Sequence, residues 1–177
     1  MSILSLFLTL YNSLPKKGVK CGLDAYNLLK KKYPKVELTL FGLEKNPNIS
    51  GEINYIYAPS RHQLSELYSE SVVFLFPSLE EGWGLTPLEA MTAGCVVVGT
   101  NTGCMIDLGK NKENVLISEP GDVQGMVNNL TYVIENPEEA KTISFNGYNT
   151  VQQLNWENSS NEFEKQLLKI VGGNDEN

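Results

Sequence analysis

One stretch, Phe76 to Gly94 (FPSLEEGWGLTPLEAMTAG), constrains the fold more than any other. A run of strand formers, Val72 to Phe76, leads into it, and Pro77-Ser78 ends the strand. Gly82 and Gly84 allow the backbone to turn where side chains would clash. Thr86-Pro87-Leu88-Glu89 then reads as a helix start. Thr86 suits the N-cap, Pro87 the first helical position and Glu89 the third, completing a capping box. Ala90, Met91 and Ala93 favour a helix, and Gly94 supplies its stop. The stretch is therefore expected to run from strand through glycine loop to helix N-terminus. Backbone N–H groups converge at such a junction, and the helix dipole favours anions there.

The rest of the chain alternates in the same way. Ile3 to Leu8 is apolar on both faces, as a strand covered by helices on each side must be. It has no basic leader or small-residue cleavage site, and is too short to cross a bilayer. Leu23, Tyr26 and Leu29 recur at helical spacing between Val19 and Tyr33, and Lys30 to Lys32 read as a solvated helix end. Strands follow at Val36 to Phe41 and Ile53 to Tyr57. Ser60 with Gln63 forms a capping box for a helix from Arg61 to about Ser69. After the central stretch come strands at Cys95 to Gly99 and Asn114 to Ile117, with a turn at Asn101 to Gly103 between them. Three helices complete the chain, the first capped by Asp122, the second starting at Pro137, and the third running from Trp156 to Val171. This order implies an α/β, Rossmann-like three-layer domain with a mainly parallel sheet of about six strands flanked by helices. Residues 1–171 are expected to form it, with 172–177 a disordered tail. In such sheets ligands bind at the carboxyl ends of the strands, at the topological switch, and the glycine loop lies on that edge.

Composition removes several function classes. The net charge of −7, from 14 basic and 21 acidic side chains, argues against a nucleic-acid or anionic-membrane partner. Cys21, Cys95 and Cys104 have no zinc spacing and no CxxC, so reduced, structural thiols are expected. His62 is the single histidine, beside Arg61 at a polar helix start where it reads as surface. With no HExxH and no Asp-x-Asp, no metal site and no cofactor are expected.

Two carboxylates bracket the glycine loop. Glu-Gly-Trp-Gly-Leu followed by Pro-Leu-Glu-Ala-Met and a Gly resembles the signature of the family-4-type retaining glycosyltransferases of GT-B architecture (glycosyl transferases group 1). The donor half of those enzymes carries two Glu separated by seven residues, as Glu81 and Glu89 are. The resemblance runs from about Leu4 to about Leu168. It includes Lys-Lys-Gly-Val at Lys16, Leu-Phe-Gly at Leu40 and Gly-Asp at Gly121. It implies the C-terminal, nucleotide-sugar-binding half of a GT-B fold. The acceptor site would then belong to an N-terminal domain outside this chain, and the isolated chain is expected to bind donor weakly and turn over little. By the same resemblance the C-terminal helices after Glu138 would partly pack across that other half. The partners implied are a nucleotide sugar and, through the missing domain, a glycan or other hydroxyl acceptor. The implied setting is glycan or polysaccharide synthesis in the cytoplasm or at the cytoplasmic membrane face.

The resemblance also assigns roles. Lys17, in a Lys-Gly pair after the first strand, would neutralise the diphosphate leaving group, with Lys16 as fallback. Relatives carry an Arg a few residues earlier, and Tyr11 to Leu14 contains none. Glu81 would accept hydrogen bonds from donor-sugar hydroxyls, and Gly82, Trp83, Gly84, Leu85 and Thr86 would offer backbone N–H groups. Trp83 itself is expected to pack rather than stack. Glu89 would hold the ribose diol, against the plain alternative that it only caps its helix. Tyr57 to Ser60 would line the base. Lys17 and Glu81 are thus the catalytic candidates, by leaving-group stabilisation and sugar orientation, and no residue stands out as a nucleophile. Two rival readings are an epimerase or phosphorylase of the same architecture, whose extra acidic, basic or cofactor group the sequence does not offer, and a non-catalytic nucleotide-sugar-binding or assembly module.

Overall fold

The computed structural model describes residues 6–49, 51 and 53–172. The start of the first predicted strand, Ile3 to Ser5, and most of the predicted tail, Gly173 to Asn177, lie outside the described residues. Six strands form one sheet: β1 (Leu6–Leu10), β2 (Glu37–Gly42), β3 (Asn54–Tyr57), β4 (Val73–Phe76), β5 (Val96–Thr100) and β6 (Leu116–Ser118). Every pairing is parallel, and the order is β3-β2-β1-β4-β5-β6. Chain order reverses between β1 and β4, which makes the crevice above their carboxyl ends the switch point.

Alternation along the strands divides the core into two layers. Phe7, Val73, Leu75, Val96 and Val98 pack beneath α1 (Val19–Lys32) and α5 (Val123–Glu135), whose Tyr26, Leu29, Met126 and Leu130 are buried against them. Leu8, Phe74, Phe76 and Val97 face the other way, toward Tyr68 of α2 (Arg61–Glu70), Met91 of α3 (Leu85–Thr92) and Val151 of α6 (Pro137–Gln152). Burying both faces explains why these strands read as unbroken apolar runs. Each such side chain removed from water contributes about 1.5–3 kcal/mol.

Local signals outside the central stretch behave as expected. Ser60 and Gln63 cap α2 reciprocally, and the Asp122 carboxylate accepts from the Gly125 N–H at the start of α5. Two elements differ from the sequence reading. A short helix, α4 (Cys104–Leu108), follows the turn after β5. At five residues it is too short to display a helical period. One face of α6 packs on this domain. Its Ala140, Ile143, Gly147 and Val151 are buried, because they complete the cover over α3 and β5. The last helix, α7 (Trp156–Gly172), takes in Gly172, predicted as tail, and exposes Trp156, Phe163 and Ile170.

Candidate functional site

The loops after β1 and β4 meet at the switch point. The first is a single 3-10 turn, Pro15–Lys17, closed by Gly18 in the left-handed region at φ 61°. The second folds down onto it, so that the N–H groups of Leu79 and Glu80 both donate to the Lys16 carbonyl, at 2.7 and 3.1 Å. Gly18 is required there, since a β-carbon would overlap the carbonyl oxygen of Pro77.

This junction sets Lys17 Nζ 2.6 Å from Glu81 Oε2, joining residues 64 apart in sequence. Ser78 Oγ donates to the same oxygen at 3.4 Å. Oε1 of Glu81 has no hydrogen-bond partner among the described residues. The lysine side chain is 23% exposed and the glutamate 14%, so the pair is partly shielded but reachable. Lys16, the fallback cation, contributes only its backbone to this junction.

A cavity of about 230 Å³ opens beside the pair, walled by Lys17, Ser78, Glu81, Gly84, Leu85 and Thr86 over a floor that includes Thr9 and Phe76. The N–H groups of Gly82, Trp83 and Gly84 find no acceptor among the described residues, and those of Leu85 and Thr86 lie in the unpaired first turn of α3. Gly84, Leu85 and Thr86 share the cavity wall with the cation and the carboxylate, whereas Gly82 and Trp83 do not line it.

Three contacts that the sequence did not advertise hold the glycine loop. Thr100 Oγ1, at the end of β5, donates to the Ser78 carbonyl. The Cys104 N–H donates to the Trp83 carbonyl at 2.6 Å, and the Cys104 thiol to the Gly84 carbonyl at 3.2 Å. Burial pushes that thiol up to about 11, so it stays protonated and able to donate. Gly103, at φ 53°, has no room for a β-carbon against the Trp83 carbonyl, which explains a glycine that the sequence marked only as a turn.

The central stretch departs from its reading in four respects. The capping box at Thr86 is absent. Gly84, at φ 84°, turns the chain into the helix earlier and becomes the N-cap, which puts Thr86 and Pro87 inside the first turn and Glu89 beyond it. Gly82 faces open space with no left-handed φ, so only Gly84 of the two is conformationally required. Trp83, expected to pack, is 42% exposed. Glu89 does not line the cavity of Glu81. It lies on a separate groove of about 620 Å³ with Trp83, Leu88 and Trp156, and accepts from the Tyr68 hydroxyl at 2.9 Å. Burial first, and the Glu89 carboxylate second, push that hydroxyl well above its ordinary range, so Tyr68 donates at any working pH. At the end of β3, Ala58 holds a left-handed φ of 44° and donates to the Gly42 carbonyl at 2.7 Å, which bends the Tyr57–Ser60 segment at the far edge of the sheet.

The glycosyl transferases group 1 family matches over residues 5–150, most of the chain. The chain belongs to that family. This group 1 chain is 27% identical over 161 residues to the O-antigen chain mannosyltransferase B of Escherichia coli, covering 84% of the chain and 42% of the relative. It superimposes on the C-terminal domain of a glycosyl transferase group 1 family protein from Francisella tularensis with a TM-score of 0.73, at 23% identity over 84% of each chain. Anabaena HepE, solved in complex with UDP-glucose, matches with a TM-score of 0.75 at 18% identity, over 86% of this chain and 45% of that one. The fold is therefore that of a GT-B C-terminal domain. The group 1 chain spans less than half the length of the curated relatives it matches first.

Proposed function

We propose that this chain is the donor-binding half of a retaining, metal-independent glycosyltransferase that moves a glycosyl group from a nucleotide sugar to an acceptor hydroxyl. The observation that carries the reading is the Lys17–Glu81 pair at the switch point, set beside free N–H groups at the α3 N-terminus. In glycosyl transfer the bond from the anomeric carbon to the diphosphate oxygen breaks and its electron pair stays with the diphosphate, while the acceptor oxygen bonds to that carbon and gives its proton to the departing phosphate oxygen. Lys17 and the loop N–H groups meet that growing charge, which preorganised dipoles stabilise without reorganisation. Glu81 offers Oε1 to sugar hydroxyls and so orients the sugar. The acceptor would sit on a further domain, and the short span relative to the curated relatives supports that division. The O-antigen relative favours glycan or polysaccharide synthesis as the setting.

Thermal melting against a panel of nucleotide sugars, with the matching free nucleosides and free sugars as controls, tests the reading. Ligand at about a hundredfold over its dissociation constant stabilises by about 2.7 kcal/mol, which raises the melting temperature of a chain of this size by about 5–10 °C. A chain that no nucleotide sugar stabilises more than its nucleoside or sugar does would contradict it.

Glu89 is assigned to the ribose diol within the same reading, and the Tyr68 bond now replaces capping as its structural duty. Glu89→Gln keeps an oxygen for Tyr68, so stability should change by no more than about 0.5 kcal/mol. An amide accepts at one oxygen only, so a carboxylate that serves both ribose hydroxyls should lose about tenfold in donor affinity on this change. Calorimetry with ribonucleotide sugars on both proteins decides it. Wild-type affinity in the variant would confine Glu89 to holding Tyr68.

A further inference from the structure

Among the described residues, Lys17 is the single cationic side chain on the cavity wall, and in the free protein it is already spent on a carboxylate. We propose that Glu81 is a specificity-determining residue that turns this site against the bare nucleoside diphosphate and toward its sugar-bearing form. The inference rests on the nucleotide-sugar reading above. It goes further by giving Glu81 two opposite effects on the two ligands.

The argument follows from charge and from the two carboxylate oxygens. Oε2 takes both the Lys17 ammonium and the Ser78 hydroxyl, while Oε1 is left without a partner among the described residues. A diphosphate entering the cavity finds a cation whose charge is cancelled 2.6 Å away, and must sit beside that carboxylate to reach it. Ammonium has three donors, so Lys17 can hold both anions, but the site then contains more negative than positive charge. A sugar on the diphosphate offsets this, because its hydroxyls donate to the unpartnered Oε1. Without the sugar nothing compensates. After transfer, the diphosphate product is left facing a carboxylate that has lost its hydroxyl partners, which favours its release.

Calorimetric titration of wild type and Glu81→Gln with UDP, ADP, GDP and dTDP, and with their glucose esters, tests this. Glu81→Gln is expected to bind its preferred diphosphate about threefold to tenfold more tightly, as fits the release of a partly exposed ion pair. The same variant should bind the matching nucleotide sugar about tenfold less tightly. Glu81→Asp keeps a charge beside the cavity, so it should lose affinity for the ester without any gain for the diphosphate. In a Lys17→Met background the Gln substitution should bring no gain for the diphosphate, since there is no ammonium to release. A Glu81→Gln variant of unchanged melting temperature that weakens both ligands would overturn the inference while leaving the site reading intact, because Glu81 would then simply position Lys17. A wild type that binds none of these compounds would bring down the site reading and this inference together.

Discussion

Gly18→Ala is expected to be the most damaging small substitution in this chain. Its backbone sits at φ 61°, where an L side chain costs about 1–2 kcal/mol. The added carbon would also overlap the Pro77 carbonyl oxygen, a backbone atom that cannot swing aside. Overpacking of this kind costs about 1–3 kcal/mol, so a loss of about 2–5 kcal/mol is expected in chemical denaturation. The injury falls on function as well. Relief requires the β1 and β4 loops to part, which breaks the two hydrogen bonds to the Lys16 carbonyl and moves Lys17 away from Glu81. Gly82→Ala is the control: with open space around it and no left-handed φ, it should change stability by no more than about 0.5 kcal/mol. Equal stability of the two variants would show that the loops are not in contact as described.

Lys17→Ala is expected to separate diphosphate binding from nucleoside binding. Its ammonium is the only cation on the cavity wall among the described residues, and a charge-assisted hydrogen bond to an anion is worth about 1.5–3 kcal/mol. Affinity for a nucleoside diphosphate should fall by about tenfold to a hundredfold, while the nucleoside alone, which carries no phosphate, binds as before. Stability should shift by less than about 1 kcal/mol, because the pair with Glu81 is partly open to solvent and such pairs contribute little. Titration of both ligands into both proteins gives the answer. An equal loss for the two would mean that Lys17 does not touch the phosphates.

Much of the architecture was legible because it is written in short-range patterns. The run at Val73–Phe76, the reciprocal cap at Ser60 and Gln63, and the Asp122 cap each need only a few neighbouring residues to form, and each formed as read. The alternation of strands and helices was enough for a parallel α/β sheet, and the resemblance carried by Glu-Gly-Trp-Gly-Leu and Pro-Leu-Glu-Ala-Met agrees with the family match. The central helix shows where that reading stops. Thr86 to Glu89 satisfies the capping-box pattern, yet the helix begins earlier because Gly84 can adopt a φ of 84°, packed against Phe76 and Glu81. A sequence pattern lists permitted caps, and the tertiary contact chooses among them.

Residue order alone was enough for the layered α/β fold, the anion-friendly helix start and the two carboxylates near it. Folding in three dimensions was needed to bring Lys17 rather than Lys16 to Glu81, to turn Glu89 to Tyr68, and to make Gly18 and Gly103 indispensable where Gly82 is not. The physical reason is range. Propensity, capping and hydrophobic period act over a few residues, whereas the Lys17–Glu81 pair spans 64 and exists only because β1 and β4 became neighbours in the sheet.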